Sequence, residues 1–223
     1  MSETLGKIDK PEVSMFAGKK KIIMVPLLFM PPTDNDTLKG LVEKYWEEAR
    51  TKVSELQDQL GSAKYVFHEM LVSDKDLKNT VDAFGCSSYG IIEDAQKRGA
   101  ELKIIEDKDL FEEFMDWNRI LSTCGISTRK VYDKLTSELK DAGDRRNDTM
   151  YKKILDSIGE NDIVILMLQE GHKIQFPSEI DVFYVSPPAL NDLEKYVRDE
   201  YMKEMEKRQA EAEKAKEKPE QAE

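Results

Sequence analysis

The sequence predicts an α/β fold: a mainly parallel sheet of about five strands flanked by long helices, followed by a charged C-terminal helical tail. Two observations predict it. Short apolar runs alternate along the chain with longer segments whose apolar residues recur every three or four positions. Several of the short runs are too continuously apolar for a half-solvated sheet, which suits strands buried on both faces. Residues 1–18 read as a loose polar arm, 19–206 as one α/β domain and 207–223 as a charged helical or disordered tail.

The first strand is IIMVPLLFM, residues 22–30, entered through the basic cluster Lys19, Lys20 and Lys21. Pro26 inside it cannot donate to a ladder, so it predicts a bulge or a position near a sheet edge. Asp34 or Asp36 is placed to cap the following helix. Leu38, Val42, Tyr45, Ala49, Val53 and Leu56 mark its apolar face, and Gly61 ends it. Trp46 lies on the same stripe, and it and Tyr45 read as core anchors.

AKYVFHEMLV, residues 63–72, is the second strand. His68 and Glu69 are adjacent in it, so they point to opposite faces unless the strand is ending there. A short helix follows. The loop GCSSYG lacks a phosphate-loop pattern and reads as a connector. IIEDAQKRG is a helix stopped by Gly99, and ELKIIED is a third strand ending in Glu106 and Asp107. Asp107 or Asp109 caps the next helix, which turns Leu110, Phe114, Trp117 and Leu121 toward a core.

After Gly125, a helix capped by Ser127 or Thr128 carries Val131, Leu135 and Leu139. DAGDRRND, residues 141–148, predicts an interruption, with Arg146 opening a new helix through Met150 and Ile154. DIVILMLQ is the clearest strand, and DVFYVS is the fifth. The short link between these two also allows an antiparallel pair at one edge. Ser186 and Pro187 start the last helix.

With 34 basic against 45 acidic residues, the net charge is −11 and the pI near 4.9. Such a balance speaks against a nucleic-acid partner, whose phosphates require clustered Lys and Arg, and against an anionic membrane surface. No apolar run reaches a membrane span, and the N-terminus lacks a signal-peptide pattern, so the chain reads as cytoplasmic. Cys86 and Cys124 read as reduced thiols. No GxGxxG follows a strand, which disfavours a dinucleotide.

Ligands of an open parallel sheet bind beyond the carboxyl ends of its strands. This sequence places Pro31 and Pro32, His68 and Glu69, Glu106 and Asp107, then Glu170, Gly171 and His172 there. Two chemistries fit that rim. One is a divalent metal held by His68, Glu106, Glu170 and His172. The other is acid–base catalysis without metal, with a histidine oriented by a carboxylate. Helix capping and surface pairing are the alternative roles for these acids, and pairing with Asp144 or Asp148 is the alternative role for Arg146.

RNDTMYKKILDSI, a buried strand and then EGH form a pattern that resembles the superfamily of TraB/GumN-like, ChaN-like and erythromycin-esterase-like proteins. Arg146, Asn147, Met150, Ile154 and His172 stand at the matching positions, and KYVFHEML resembles that superfamily's early acidic strand. The resemblance implies that Glu69, Arg146 and His172 approach one pocket as catalytic residues. Its members include hydrolases, metal-dependent peptidases and haem-binding proteins. Where the superfamily has its first histidine motif, this chain has LLFMPPTD, which admits a pseudo-enzyme on the same scaffold. The expected function is a hydrolase-like or small-ligand-binding protein, metal-assisted in one version. The alternative is a non-catalytic module that contacts a partner protein.

Overall fold

The computed structural model describes residues 18–216, apart from residues 30–32, 76, 84, 86 and 173. The expected N-terminal arm, Pro31, Pro32 and the end of the tail therefore lie outside the described residues, save Gly18. Five strands, β1 (Lys20–Leu27), β2 (Tyr65–His68), β3 (Glu101–Lys103), β4 (Ile163–Gln169) and β5 (Ile180–Tyr184), form one sheet in the order β3-β2-β4-β1-β5. Every neighbouring pair is parallel. The helices are α1 (Asp36–Leu60), α2 (Leu77–Ala83), α3 (Tyr89–Lys97), α4 (Lys108–Thr123), α5 (Arg129–Ser157) and α6 (Pro188–Lys216).

Strand alternation divides the core into two layers. Ile23, Val25, Val66, Ile165 and Met167 face α1, α3 and the start of α6. Ile22, Met24, Phe67, Val164 and Leu166 face Met150 and Ile154 of α5 and Ile158 just after it, together with Ile174 of the β4–β5 link. Tyr45 and Trp46 are buried in the first layer, as their stripe predicts.

Pro26 lies in β1, one strand in from the β5 edge, so the second of the two expected settings, a position near a sheet edge, is the one found. Lys21 N–H donates toward β4, to Asp162 O, so the even-numbered groups of β1 point toward β5. Pairing with β5 ends at Met24 opposite Tyr184, two residues before the proline. The missing N–H thus falls where no acceptor is waiting. The Pro26 carbonyl on that side accepts from Tyr45 Oη at 2.5 Å.

Three expectations are corrected. β5 does not pair with β4; the link crosses β1, and β5 adds parallel on its far side. Ile174 and Phe176 pack that link onto the sheet in place of a crossover helix. The polar segment 141–148 does not break the chain, because α5 runs through it unbroken. Gly143 leaves room for the Phe114 ring, which a Cβ would approach to 3.4 Å. Lys140–Asp144 and Arg145–Asp141 pairs bridge successive turns of that stretch. Arg146 is therefore a mid-helix residue facing inward. Finally, the α1 cap is Asn35, whose side chain accepts from Leu38 N–H at 3.0 Å. Asp107 does cap α4, accepting from Asp109 and Leu110 N–H.

Candidate functional site at the carboxyl rim of the sheet

The carboxyl ends of β2, β3 and β4 meet the middle of α5 at a buried cluster of charge. Glu69, Glu106 and Arg146 are 5%, 3% and 4% exposed. Arg146 Nε donates to Glu106 Oε2 at 3.0 Å, and Nη2 to Glu69 Oε1 at 3.0 Å. Nη2 also pairs with Glu106 Oε1. The remaining carboxylate capacity is taken by backbone donors. Gln169 N–H reaches Glu69 Oε2 at 2.6 Å, and Met70 N–H reaches Glu106 Oε1 at 3.0 Å. Phe111 and Phe114 lie near the guanidinium at 5.5 and 5.0 Å, giving it aromatic neighbours on α4. Burial on its own would lower the Arg146 pKa. Its bonds and charge interaction with Glu106, then those with Glu69, outweigh that and hold it above the ordinary value. The cluster ties three strand ends to α5.

His68, the last residue of β2, turns away from Glu69, the first residue beyond it. Its Nδ1–H donates to the Glu69 carbonyl, which fixes the tautomer and leaves Nε2 as acceptor. Ser88 Oγ donates to that Nε2 at 2.8 Å. The sequence reading missed this pair, treating the serine's loop as a plain connector. A serine beside a histidine whose other nitrogen is held is the arrangement of an activated nucleophile. Here Ser88 and His68 are both buried, and neither lines the cavity described below. The pair joins the end of β2 to the start of α3. Burial drives the His68 pKa down to about 4, partly opposed by the Glu69 carbonyl, so the ring is neutral at pH 7.

His172 lies on the other face of the sheet. Its Nε2 is 3.2 Å from Met24 Sδ, and its Nδ1 is buried without a partner. Of the residues expected to form a catalytic set, the structure brings Glu69 and Arg146 into contact and leaves His172 apart. Of the expected metal ligands His68, Glu106, Glu170 and His172, it brings no set together. Among the described residues, no group of three or more His, Cys, Asp or Glu side chains is placed to hold a metal ion. Glu106, expected only as a metal ligand, is instead Arg146's main partner.

The open feature of the rim begins at the other side of β4, where Gln169 touches both sites. β1 leads into α1 on the first layer, whereas β4 leads into the link on the second. These neighbouring strands thus send their chains to opposite faces, which makes their carboxyl ends a topological switch point. A cavity of about 820 Å³ sits there. Leu27 ends β1 and Leu28 follows it, Gln169 ends β4 and Glu170 follows it, Leu38 and Val42 come from α1, and Leu190, Leu193 and Val197 from α6. Its wall is mainly apolar. Its polar groups are Gln169, Glu170, Glu194, Arg198 and the Tyr201 hydroxyl. Burial, then the charge of Glu194, raises the Glu170 pKa. The Tyr184 phenol at the end of β5 is raised by burial and by the same two carboxylates, so all three groups share this corner.

No protein-family model, curated protein or solved structure matches the chain. Among the described residues no helix is long and apolar enough to cross a membrane.

Proposed function

We propose that the protein binds a small, largely apolar molecule carrying one cationic group in the cavity between β1, β4, α1 and α6. One observation carries this reading. The mainly apolar rim cavity coincides with the switch point at which open parallel sheets take their ligands. The charge balance at its polar corner gives the ligand class. Burial and the charge of Glu194 raise the cost of ionising Glu170, and a single guanidinium, Arg198, stands beside them on the wall. An ammonium group placed there relieves that repulsion, whereas a carboxylate adds to it.

The buried Glu69–Glu106–Arg146 cluster serves this function as scaffold. It holds the end of β4, and hence Gln169 and Glu170, in register with β2. Hydrolase-like chemistry at Glu69 or Arg146 would first require the bonds between them to open, and their burial argues against it. Thermal unfolding with and without octylammonium tests the proposal, with octanoate as the matched anion. At a concentration of 100 times Kd, binding adds about 2.7 kcal/mol, worth roughly 5–10 °C in a domain of this size. Octanoate is expected to give little shift. Val197→Trp, at an exposed position of the wall, should block the cavity while leaving the unliganded melting temperature close to wild type. Equal shifts from both probes, or a shift that survives Val197→Trp, would contradict the assignment.

A further inference from the structure

The helical hairpin formed by α4 and the first half of α5 stands off the rest of the fold. No residue of α4 is buried, and α5 has none before Ala142. The hairpin is nevertheless rich in large apolar side chains. Phe114, Trp117 and Leu121 on α4 and Leu135 and Leu139 on α5 all remain partly accessible. Two helices alone cover only the strip between them; bundles close such a strip with further helices. Beyond the strip, Ile120, Val131 and Tyr132 are 37%, 50% and 47% exposed near the hairpin's tip.

Charge is distributed unevenly along the same hairpin. Its base, where α4 begins and α5 passes it, carries Asp107, Asp109, Glu112, Glu113, Asp141 and Asp144 against Lys108, Lys140 and Arg145. Its tip, where α5 begins, carries Arg129, Lys130 and Lys134 against Asp133. Arg129 is paired with Asp133 at 2.7 Å, but Lys130 and Lys134 form no ion pair among the described residues, and neither does Asp109. The unpaired cations at one end and the unpaired acid at the other are separated by roughly 20 Å of helix.

We infer that this hairpin is a self-association surface. Two copies of the chain lie with their hairpins side by side and antiparallel, each basic tip against the other's acidic base, closing a four-helix bundle. An antiparallel pair is isologous, so the complementary ends are satisfied twice by a single two-fold axis. The exposed Ile120 and Tyr132 then become interface side chains, and a partner of another kind is not needed to cover them.

Sedimentation equilibrium on the full chain tests this. A species at twice the chain mass of 25.7 kDa is expected to form in the micromolar range. Ile120→Glu combined with Tyr132→Glu should weaken the dimer at least about tenfold, with an unchanged far-UV spectrum because both positions are exposed. Lys130→Glu with Lys134→Glu should also weaken it, and adding Asp109→Lys should restore part of the loss. That restoration separates complementary pairing from a general effect of charge on a chain of net charge −11. A chain that stays monomeric into the sub-millimolar range would overturn the inference. So would a dimer indifferent to these substitutions, or hairpin variants that lose only the binding of some other protein.

Discussion

Replacing Arg146 with methionine removes the guanidinium and keeps most of the side chain's volume. In the folded protein it would leave the carboxylates of Glu69 and Glu106 buried and facing each other, without the donors at 3.0 Å that now join them. Removing one partner of a buried charge pair costs about 3–5 kcal/mol, out of a total stability of about 5–15 kcal/mol. Two features place this site toward the lower end. Each carboxylate keeps a backbone donor, from Gln169 or Met70, and Lys153 Nζ lies 2.7 Å from the Glu106 carbonyl. A loss of about 3 kcal/mol is therefore expected, measured by urea unfolding at pH 7.5. The variant should also respond to acid in the opposite sense from most proteins. Protonating one carboxyl leaves a single buried charge that the other can hydrogen-bond, so the gap to wild type should narrow as pH falls. Glu69→Gln with Glu106→Gln, added to Arg146→Met, should recover a large part of the loss at pH 7.5. A loss below about 1 kcal/mol, unaffected by pH, would show the cluster to be solvated and of no structural consequence.

His68 sets a second pH dependence. Its pKa is about 4 in the folded protein against 6.5 for the free side chain, so between those values the unfolded chain binds more protons. The associated stability is complete above pH 6.5 and is lost progressively down to about pH 4, amounting to roughly 3 kcal/mol. A His68→Gln variant should lack that component of the acid loss, and identical slopes for the two proteins would count against it. Tyr45→Phe removes the donor to the Pro26 carbonyl at 2.5 Å and should lower stability by about 1–3 kcal/mol, measured by denaturant unfolding. Asn35→Ala removes the α1 cap and the bond from Asn35 Nδ2 to Tyr196 Oη at 2.8 Å, for a loss near 1 kcal/mol by the same measurement.

Much of this fold was legible in the sequence because periodicity and burial agree in it. The apolar run of β4, the stripe of α1 and the Asp107 cap are local signals that the tertiary structure does not override. What was not legible depends on contacts between distant residues. The segment 141–148 has a loop's composition, yet it stays helical because Phe114 packs at Gly143 and two acids draw Arg146 inward. The β4–β5 link is too short for a helix, and only Ile174 and Phe176 seating on the second core layer explain how it crosses β1. The sequence assigned His68, Glu69, Glu106, Glu170 and His172 to the carboxyl ends of the strands, and Arg146 to the start of a helix. Their grouping was not readable there, because it depends on strand order: β2, β3 and β4 are contiguous and put Glu69 and Glu106 beside α5, while His172 falls on Met24. The switch-point cavity was invisible to a search for reactive side chains, since its walls are ordinary leucines and valines.

Calorimetric titration of octylammonium into the full-length protein addresses the proposed function most directly. One molecule per chain should bind, with affinity reduced about tenfold or more in Glu170→Gln combined with Glu194→Gln and abolished by Val197→Trp. Heat that is absent in the wild type, or unchanged in both variants, would mean that the cavity between β1 and β4 is not a binding site.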